Sequence, residues 1–329
     1  MPIRLSVAVI VGLVGCGPAT VIPPDALPPA ERNTRDAGTS TDPHGEDAGA
    51  QDAGPVDAGP ADAGGDLDAG GDLDAGGDLD AGPADAGSVI LLDAGPSSTR
   101  QTARPLGTTT APNGFYEYLP PGYGDGTPRP LMVFWHGIGE DGNGTSDLSR
   151  VVANGPPKLI AADRWPPERP FIVLSPQNGS GCPSSQMVSD FINWARANYD
   201  VDPKQVFLTG LSCGAIGSWQ YLGDHVEDGG IAAALFSSGD PGDPTASWST
   251  WGKQGCELGR IAIWAVHGTA DGTVNINNEQ NTMNDLLACT NRRDAVWMPI
   301  AGGGHNVWDD LYAGNDGDVY GWLLAHALP

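Results

Sequence analysis

VFLTGLSCGAIGS, residues 206–218, climbs through an apolar burst to a glycine, passes a serine and enters a run of small residues. VFLTG (206–210) reads as a strand. Residues 213–222 read as a helix. Between them Gly210-Leu211-Ser212-Cys213-Gly214 matches G-x-S-x-G. In that pattern the two glycines allow a sharp strand-to-helix turn that lifts the serine hydroxyl clear of the sheet. The helix start behind the serine also favours negative charge. The bland reading is a polar residue in a tight turn. Choosing between them requires an oxyanion site, a base and an acid elsewhere in the chain.

Working outward, strand-like and helix-like runs alternate. FYEYL (115–119), LMVFW (131–135), FIVLS (171–175), AAALFSSG (232–239), RIAIWAVHG (260–268) and AVWMPI (295–300) read as strands. Residues 185–199 and 277–289 carry apolar residues at helical spacing, as Val188, Ile192 and Ala195 do in the first. Strand, crossover helix and strand in repetition predict an α/β fold with a mostly parallel open sheet and helices on both faces. Ligands in such sheets sit beyond the carboxyl ends of the strands. The polar residues fall there: His136 after LMVFW, Ser212 after VFLTG, His267 and Asp271 after IAIWAV, and His305 across a glycine run after AVWMPI.

These positions supply the missing parts. The glycine-rich turn His136-Gly137-Ile138-Gly139 can aim a backbone N–H at a developing oxyanion. Ile138 is the expected donor, with the N–H of Cys213 as the second. HGIGEDGNG lacks the G-x-G-x-x-G spacing and a Walker lysine, so a phosphate-binding loop is rejected. Asp271 can fix the tautomer of an imidazole, and His305 is the expected base, with Asp309 and Asp310 as distant rivals to Asp271. The order Ser, Asp, His differs from the two common serine-protease orders. His136 is expected to orient rather than to act as base.

The pieces FYEYLPPGY, LMVFWHGIGEDG, VDPKQVFLTGLSCGAIGSW, WAVHGTAD and GGGHNVWDDLY, spread over most of residues 113–312, resemble secreted α/β-hydrolases of the polyhydroxybutyrate depolymerase and feruloyl/acetylxylan esterase group. The resemblance implies the α/β-hydrolase fold and hydrolysis of carboxylic esters through an acyl-enzyme, without cofactor; nothing in the sequence demands a metal. Ser212, Asp271 and His305 fall at that group's catalytic positions. The residue after the nucleophile is often Ala or Met there, and is Cys213 here. Two alternatives stand beside it. A serine peptidase of the same fold usually carries an extra domain over the site, for which this chain lacks room. A surface-tethered binding protein that lost the chemistry should lack a triad member, and none is missing.

Cys182, Cys213, Cys256 and Cys289 allow three full pairings, among which spacing does not choose. Cys256–Cys289 is expected because the two flank the segment carrying Asp271. Cys182–Cys213 would tie the loop after FIVLS to the nucleophile turn. Trp308, three residues past His305, could stack on a sugar or aromatic ring in the cleft, or pack its own loop. Asp316 and Asp318 in GNDGDVYG are expected to form a solvated turn rather than a calcium site.

The N-terminal third differs in kind. Residues 1–16 read as a signal segment: Arg4, a short apolar run, and Leu13-Val14-Gly15-Cys16, which resembles a bacterial lipobox with Cys16 as the lipidated residue. Residues 17–104 are a tract of Asp, Ala, Gly and Pro with three GDLDAG hexads between Gly65 and Gly82. Such a tract has little apolar surface to offset the entropy of ordering and is expected to be a disordered tether. Its period of six does not match the glycine-rich calcium nonapeptide. The catalytic domain is expected over 105–329. The formal net charge is −25, which argues against nucleic acid as a partner. An ester substrate, polymeric or small, with no evident lid insertion over the site, a lipid-anchored position at the bacterial cell envelope, at the outer membrane (or plain secretion), and a monomeric state complete the expectations.

Overall fold

The structure, a computed structural model, describes residues 100–329. The signal segment with Cys16, and residues 17–99 of the acidic tract, lie outside the described residues. Thr102–Arg104 forms strand β1, so part of the stretch assigned to the tether belongs to the sheet. The reason is that β1 is held at the sheet edge by backbone pairing, with Thr102 opposite Glu117 and Arg104 opposite Phe115. Arg104 adds a 2.7 Å bond to the Glu117 carboxylate. Composition does not register contacts of this kind.

β2 (Phe115–Tyr118), β3 (Arg129–Trp135), β4 (Ile172–Pro176), β5 (Val201–Leu211), β6 (Ala233–Ser237), β7 (Ala262–Gly268) and β8 (Ala295–Ile300) complete one eight-stranded sheet. Its order is β1-β2-β4-β3-β5-β6-β7-β8. The β1–β2 and β2–β4 pairs are antiparallel and every other pair is parallel. The parallel strands end in register: Trp135 faces Gly210, Leu211 faces Ser237, and Gly268 faces Ile300. The loops that carry the polar residues therefore leave from one edge.

The helices are α1 (Gly155–Ala161), α2 (Ser185–Asn198), α3 (Cys213–His225), α4 (Thr250–Gln254), α5 (Ile276–Ala288), α6 (Trp308–Ala313) and α7 (Val319–Ala325). LMVFW is unbroken because both of its faces are covered. Leu131, Val133 and Trp135 join a core with residues of α2, α3 and α5, while Met132 and Phe134 join one with residues of α1, α6 and α7. Each fully buried side chain of this size contributes about 1.5–3 kcal/mol. The long helices α2, α3 and α5 match the sequence expectation. The short ones, α1, α4, α6 and α7, span too few turns to show a period. Among the described residues no helix is long and apolar enough to cross a membrane.

Both expected disulfides form, Cys182–Cys213 and Cys256–Cys289. Such bonds persist in oxidising compartments outside the cytosol.

Candidate active site

Ser212 stands at the sharp turn between β5 and α3, with φ 50° and ψ −121°. A positive φ is costly for a residue with a Cβ and persists only where the surroundings enforce it. Here Ser212 donates its N–H to Ser237 O (2.9 Å), and the helix behind it is anchored by Ile216 N–H to Ser212 O (2.9 Å). The flanking glycines are required by close approach. A Cβ on Gly210 would lie 2.7 Å from the Gly214 carbonyl carbon, and one on Gly214 would strike the Trp135 carbonyl.

The loops after β7 and β8 bring the other two groups to the serine. His305 Nε2 lies 2.9 Å from Ser212 Oγ, and its Nδ1 lies 2.7 Å from Asp271 Oδ2. Asp271 cannot donate as a carboxylate, so Nδ1 carries the hydrogen and Nε2 is free to accept from the serine hydroxyl. The other oxygen of Asp271 accepts the N–H groups of Thr273 (2.8 Å) and Val274 (3.0 Å). Burial alone would raise the Asp271 pKa, but His305 and these two N–H groups outweigh it and hold the carboxyl below its ordinary value. The His305 loop is itself pinned, since Ser238 Oγ donates to His305 O at 2.8 Å.

The turn after β3 lies directly against the serine. A Cβ on Gly137 would come within 3.5 Å of Ser212 Cβ. Ile138 opens a short 3-10 turn, Ile138–Glu140, with its side chain 62% exposed. Cys213 opens α3, so its N–H belongs to the first turn and has no partner within the helix. His136 is buried and does not reach the serine. Its Nδ1–H donates to Gly137 O (2.7 Å) and its Nε2 accepts the Asn178 N–H (2.9 Å). Burial pushes its pKa down, so it serves as a neutral strut between this turn and the loop after β4.

Trp308 is only 8% exposed. Its ring meets His305 edge to face, with centroids 5.1 Å apart, and its indole N–H donates to Asn154 Oδ1 at 3.2 Å. Of the two readings of this residue, its burial matches packing beneath the histidine, because an indole with so little open surface offers a ligand no face. Asp309 is paired with Lys158 (2.7 Å) and Asp310 accepts from Asn315 (2.8 Å), so neither rival of Asp271 meets His305. Asp318 caps α7 by accepting the Gly321 N–H.

Sequence reading missed several groups that hold this arrangement. Gln177, buried after β4, donates to Glu140 O and Asp147 O and accepts from Gly144 N–H. Asn154 joins Trp308 to the Glu140 carboxylate. Glu279 on α5 lies against His267. None stands in a motif with the triad, so no spacing signal could have found them. A cavity of about 890 Å³ is lined by Arg100, Tyr118, Tyr123 and Trp165 among others and contains none of Ser212, Asp271 and His305. Ser212 and the Asp271 side chain are buried, and the His305 side chain is 22% exposed.

No protein-family model matches the chain, and no curated protein is similar to it in sequence. Solved structures resemble it in shape. A thermostable esterase superposes with TM-score 0.51 at 19% identity, over 69% of this chain and 63% of that one. The chain thus spans less than two thirds of that protein's length. The apo form of Thermogutta terrifontis esterase 2 gives TM-score 0.51 at 16% identity, over 72% of this chain and 100% of that one. The same esterase phosphorylated by paraoxon gives 0.50 at 16% identity, over 72% and 99%. At these identities the likeness establishes the fold: residues 100–329 adopt the α/β-hydrolase fold.

Proposed function

We propose that the protein is a serine carboxylic-ester hydrolase working through an acyl-enzyme on Ser212. The observation that carries this reading is the continuous contact Ser212 Oγ to His305 Nε2 (2.9 Å) and His305 Nδ1 to Asp271 Oδ2 (2.7 Å) at a strained strand-to-helix turn. His305 takes the serine proton as Oγ attacks the ester carbonyl. The N–H groups of Ile138 and Cys213 receive the oxyanion. The tetrahedral intermediate collapses, the alcohol leaves with the proton from His305, and water repeats the attack on the acyl-serine. Asp271 remains a carboxylate throughout and holds the imidazole in the required tautomer. Every group in this cycle comes from the chain itself.

The substrate class we assign is that of the polyhydroxybutyrate depolymerase and feruloyl/acetylxylan esterase group: solvent-exposed esters of polysaccharides or polyesters, with small esters as surrogates. In support, the His305 side chain beside the serine is partly exposed. Ile216 and Gln220 of α3, with the 64% exposed Trp248, line a groove of about 260 Å³ that begins one helical turn from Ser212. We further assign Cys16 as a lipidation site, residues 17–99 as the tether, and the outer envelope as the location. The supporting features are the lipobox-like sequence, the composition of the tract and the two disulfides.

The test is hydrolysis of p-nitrophenyl acetate, acetylated xylan, a feruloyl ester and a hydroxybutyrate oligomer beside peptide substrates, followed by inactivation with paraoxon. The expected result is ester turnover, none on peptides, and a single phosphoryl adduct on Ser212 by peptide mapping. A folded protein without ester turnover, or an adduct elsewhere, overturns the assignment.

A further inference from the structure

A second histidine and a second carboxylate adjoin Asp271. His267, near the end of β7, and Glu279, on α5, are both completely buried. His267 Nδ1 is 2.6 Å from Glu279 Oε2, and the other Glu279 oxygen accepts the Trp219 indole N–H at 2.8 Å. His267 Nε2 donates to Val274 O at 3.1 Å. The same nitrogen is 3.1 Å from Asp271 Oδ2, the oxygen that accepts from His305 Nδ1.

Proton placement follows from the neighbours. Nε2 faces two acceptors, a carbonyl and a carboxylate, so it carries a hydrogen. Nδ1 faces Glu279, and one proton occupies that short contact. Burial disfavours the imidazolium, yet Glu279, Val274 O and Asp271 together outweigh it and raise the His267 pKa. Burial also raises the Glu279 pKa, offset in part by His267 and Trp219 and reinforced by Asp240. Asp240, Asp271 and His305 are the other titratable groups in this surround.

We propose that Glu279 and His267 are positioning residues for the triad. Glu279 holds His267 as an imidazolium, and the Nε2 edge of His267 fixes and partly neutralises Asp271. The proposal rests on the triad reading above. Its consequence is electrostatic as well as geometric. A positive charge beside Asp271 reduces the pull of that carboxylate on the His305 proton. No bond is made or broken by the pair.

A buried ion pair that merely ties α5 to β7 would leave the titration of His305 alone, and this separates the two roles. Glu279→Gln preserves shape: its amide oxygen can accept the Trp219 N–H, and its NH₂ can donate to His267 Nδ1. His267 is then neutral with its hydrogen still on Nε2. In NMR titrations of the imidazole nitrogens, the expected result is a His305 pKa raised by about half a unit or more in Glu279→Gln. The acid limb of kcat/KM should move up with it, while kcat falls roughly fivefold and KM stays within about twofold. His267→Gln is the second variant and should raise the His305 pKa in the same direction. An unchanged or lowered His305 pKa in the folded variants overturns the proposal. If neither variant folds, the wild-type spectrum decides. Two protonated nitrogens on His267 at neutral pH are expected, and a neutral His267 overturns the proposal. A wild type without ester turnover would sink the esterase assignment while these titrations still report on the pair.

Discussion

Cys213, the residue after Ser212, is covalently joined to Cys182 in the loop after β4, with Cα atoms 4.6 Å apart. That loop also meets the turn after β3, through Asn178 N–H to His136 Nε2 and Gly142 N–H to Asn178 O (both 2.9 Å). The turn that carries Ser212 and the turn after β3 therefore share one cross-linked support. Replacing both cysteines by Ala should lower kcat more than it raises KM, because the donor positions loosen while the cleft remains. Across a separation of 31 residues the lost cross-link should also cost about 3.7 kcal/mol of stability. Denaturant unfolding and steady-state kinetics on the double variant measure both.

The side chain and the backbone N–H of Ile138 should behave differently. The side chain is largely exposed, so Ile138→Ala should leave turnover nearly unchanged. Ile138→Pro removes the N–H. The site should tolerate Pro, since Ile138 is the first residue of its turn and Gly137 before it is extended (φ −79°, ψ 173°). Turnover should fall on the order of 100-fold with the melting temperature little altered. Equal activity of the Pro and Ala variants would remove Ile138 from the oxyanion site.

Asp271 makes a prediction about acid stability. Its folded pKa is depressed, so its contribution to stability is present above the ordinary Asp value of about 4. It is lost as pH falls through the depressed folded value. Asp271→Asn should therefore melt below wild type at neutral pH, and the gap should close on acidification below about pH 4. Melting curves of both proteins across that range test the sign. A gap that widens in acid contradicts the depressed pKa.

Trp308 supports His305 from below and links it through Asn154 to Glu140. Trp308→Ala should cost about 3–5 kcal/mol through the cavity it leaves, and kcat should fall as the imidazole loses its support. Trp308→Phe, which keeps a ring but not the indole N–H, should recover most of the stability. A Trp308→Ala variant with unchanged stability would show that the ring carries no packing load.

The position of β1 revises where the chain can be cut. Removal of residues 1–99 should leave small-ester turnover and melting temperature unchanged. A cut after Arg104 should lower the melting temperature, because it removes the edge strand paired with β2. Cys16→Ser in the full chain should shift activity from the membrane to the soluble fraction. Retention in the membrane fraction would refute lipidation of Cys16.

How much of this was legible without coordinates follows from the range of each interaction. The buried strands were readable because double-sided burial writes an unbroken apolar run, as in LMVFW. The elbow was readable because its steric demands are local: Gly210 and Gly214 stand two residues either side of Ser212. The order Ser212, Asp271, His305 was readable because each residue follows a strand, and parallel strands place their following loops at one edge. The sequence alone could not decide the disulfide pairing, since that depends on which loops meet above the sheet. It could not decide whether Trp308 faces solvent or core, because the first residue of a six-residue helix has no periodicity to consult. Nor could it disclose that Glu279 lies against His267 beside Asp271. Their contact depends on how α5 packs across β7, and a buried carboxylate keeps its charge only where folding has brought the donors to it.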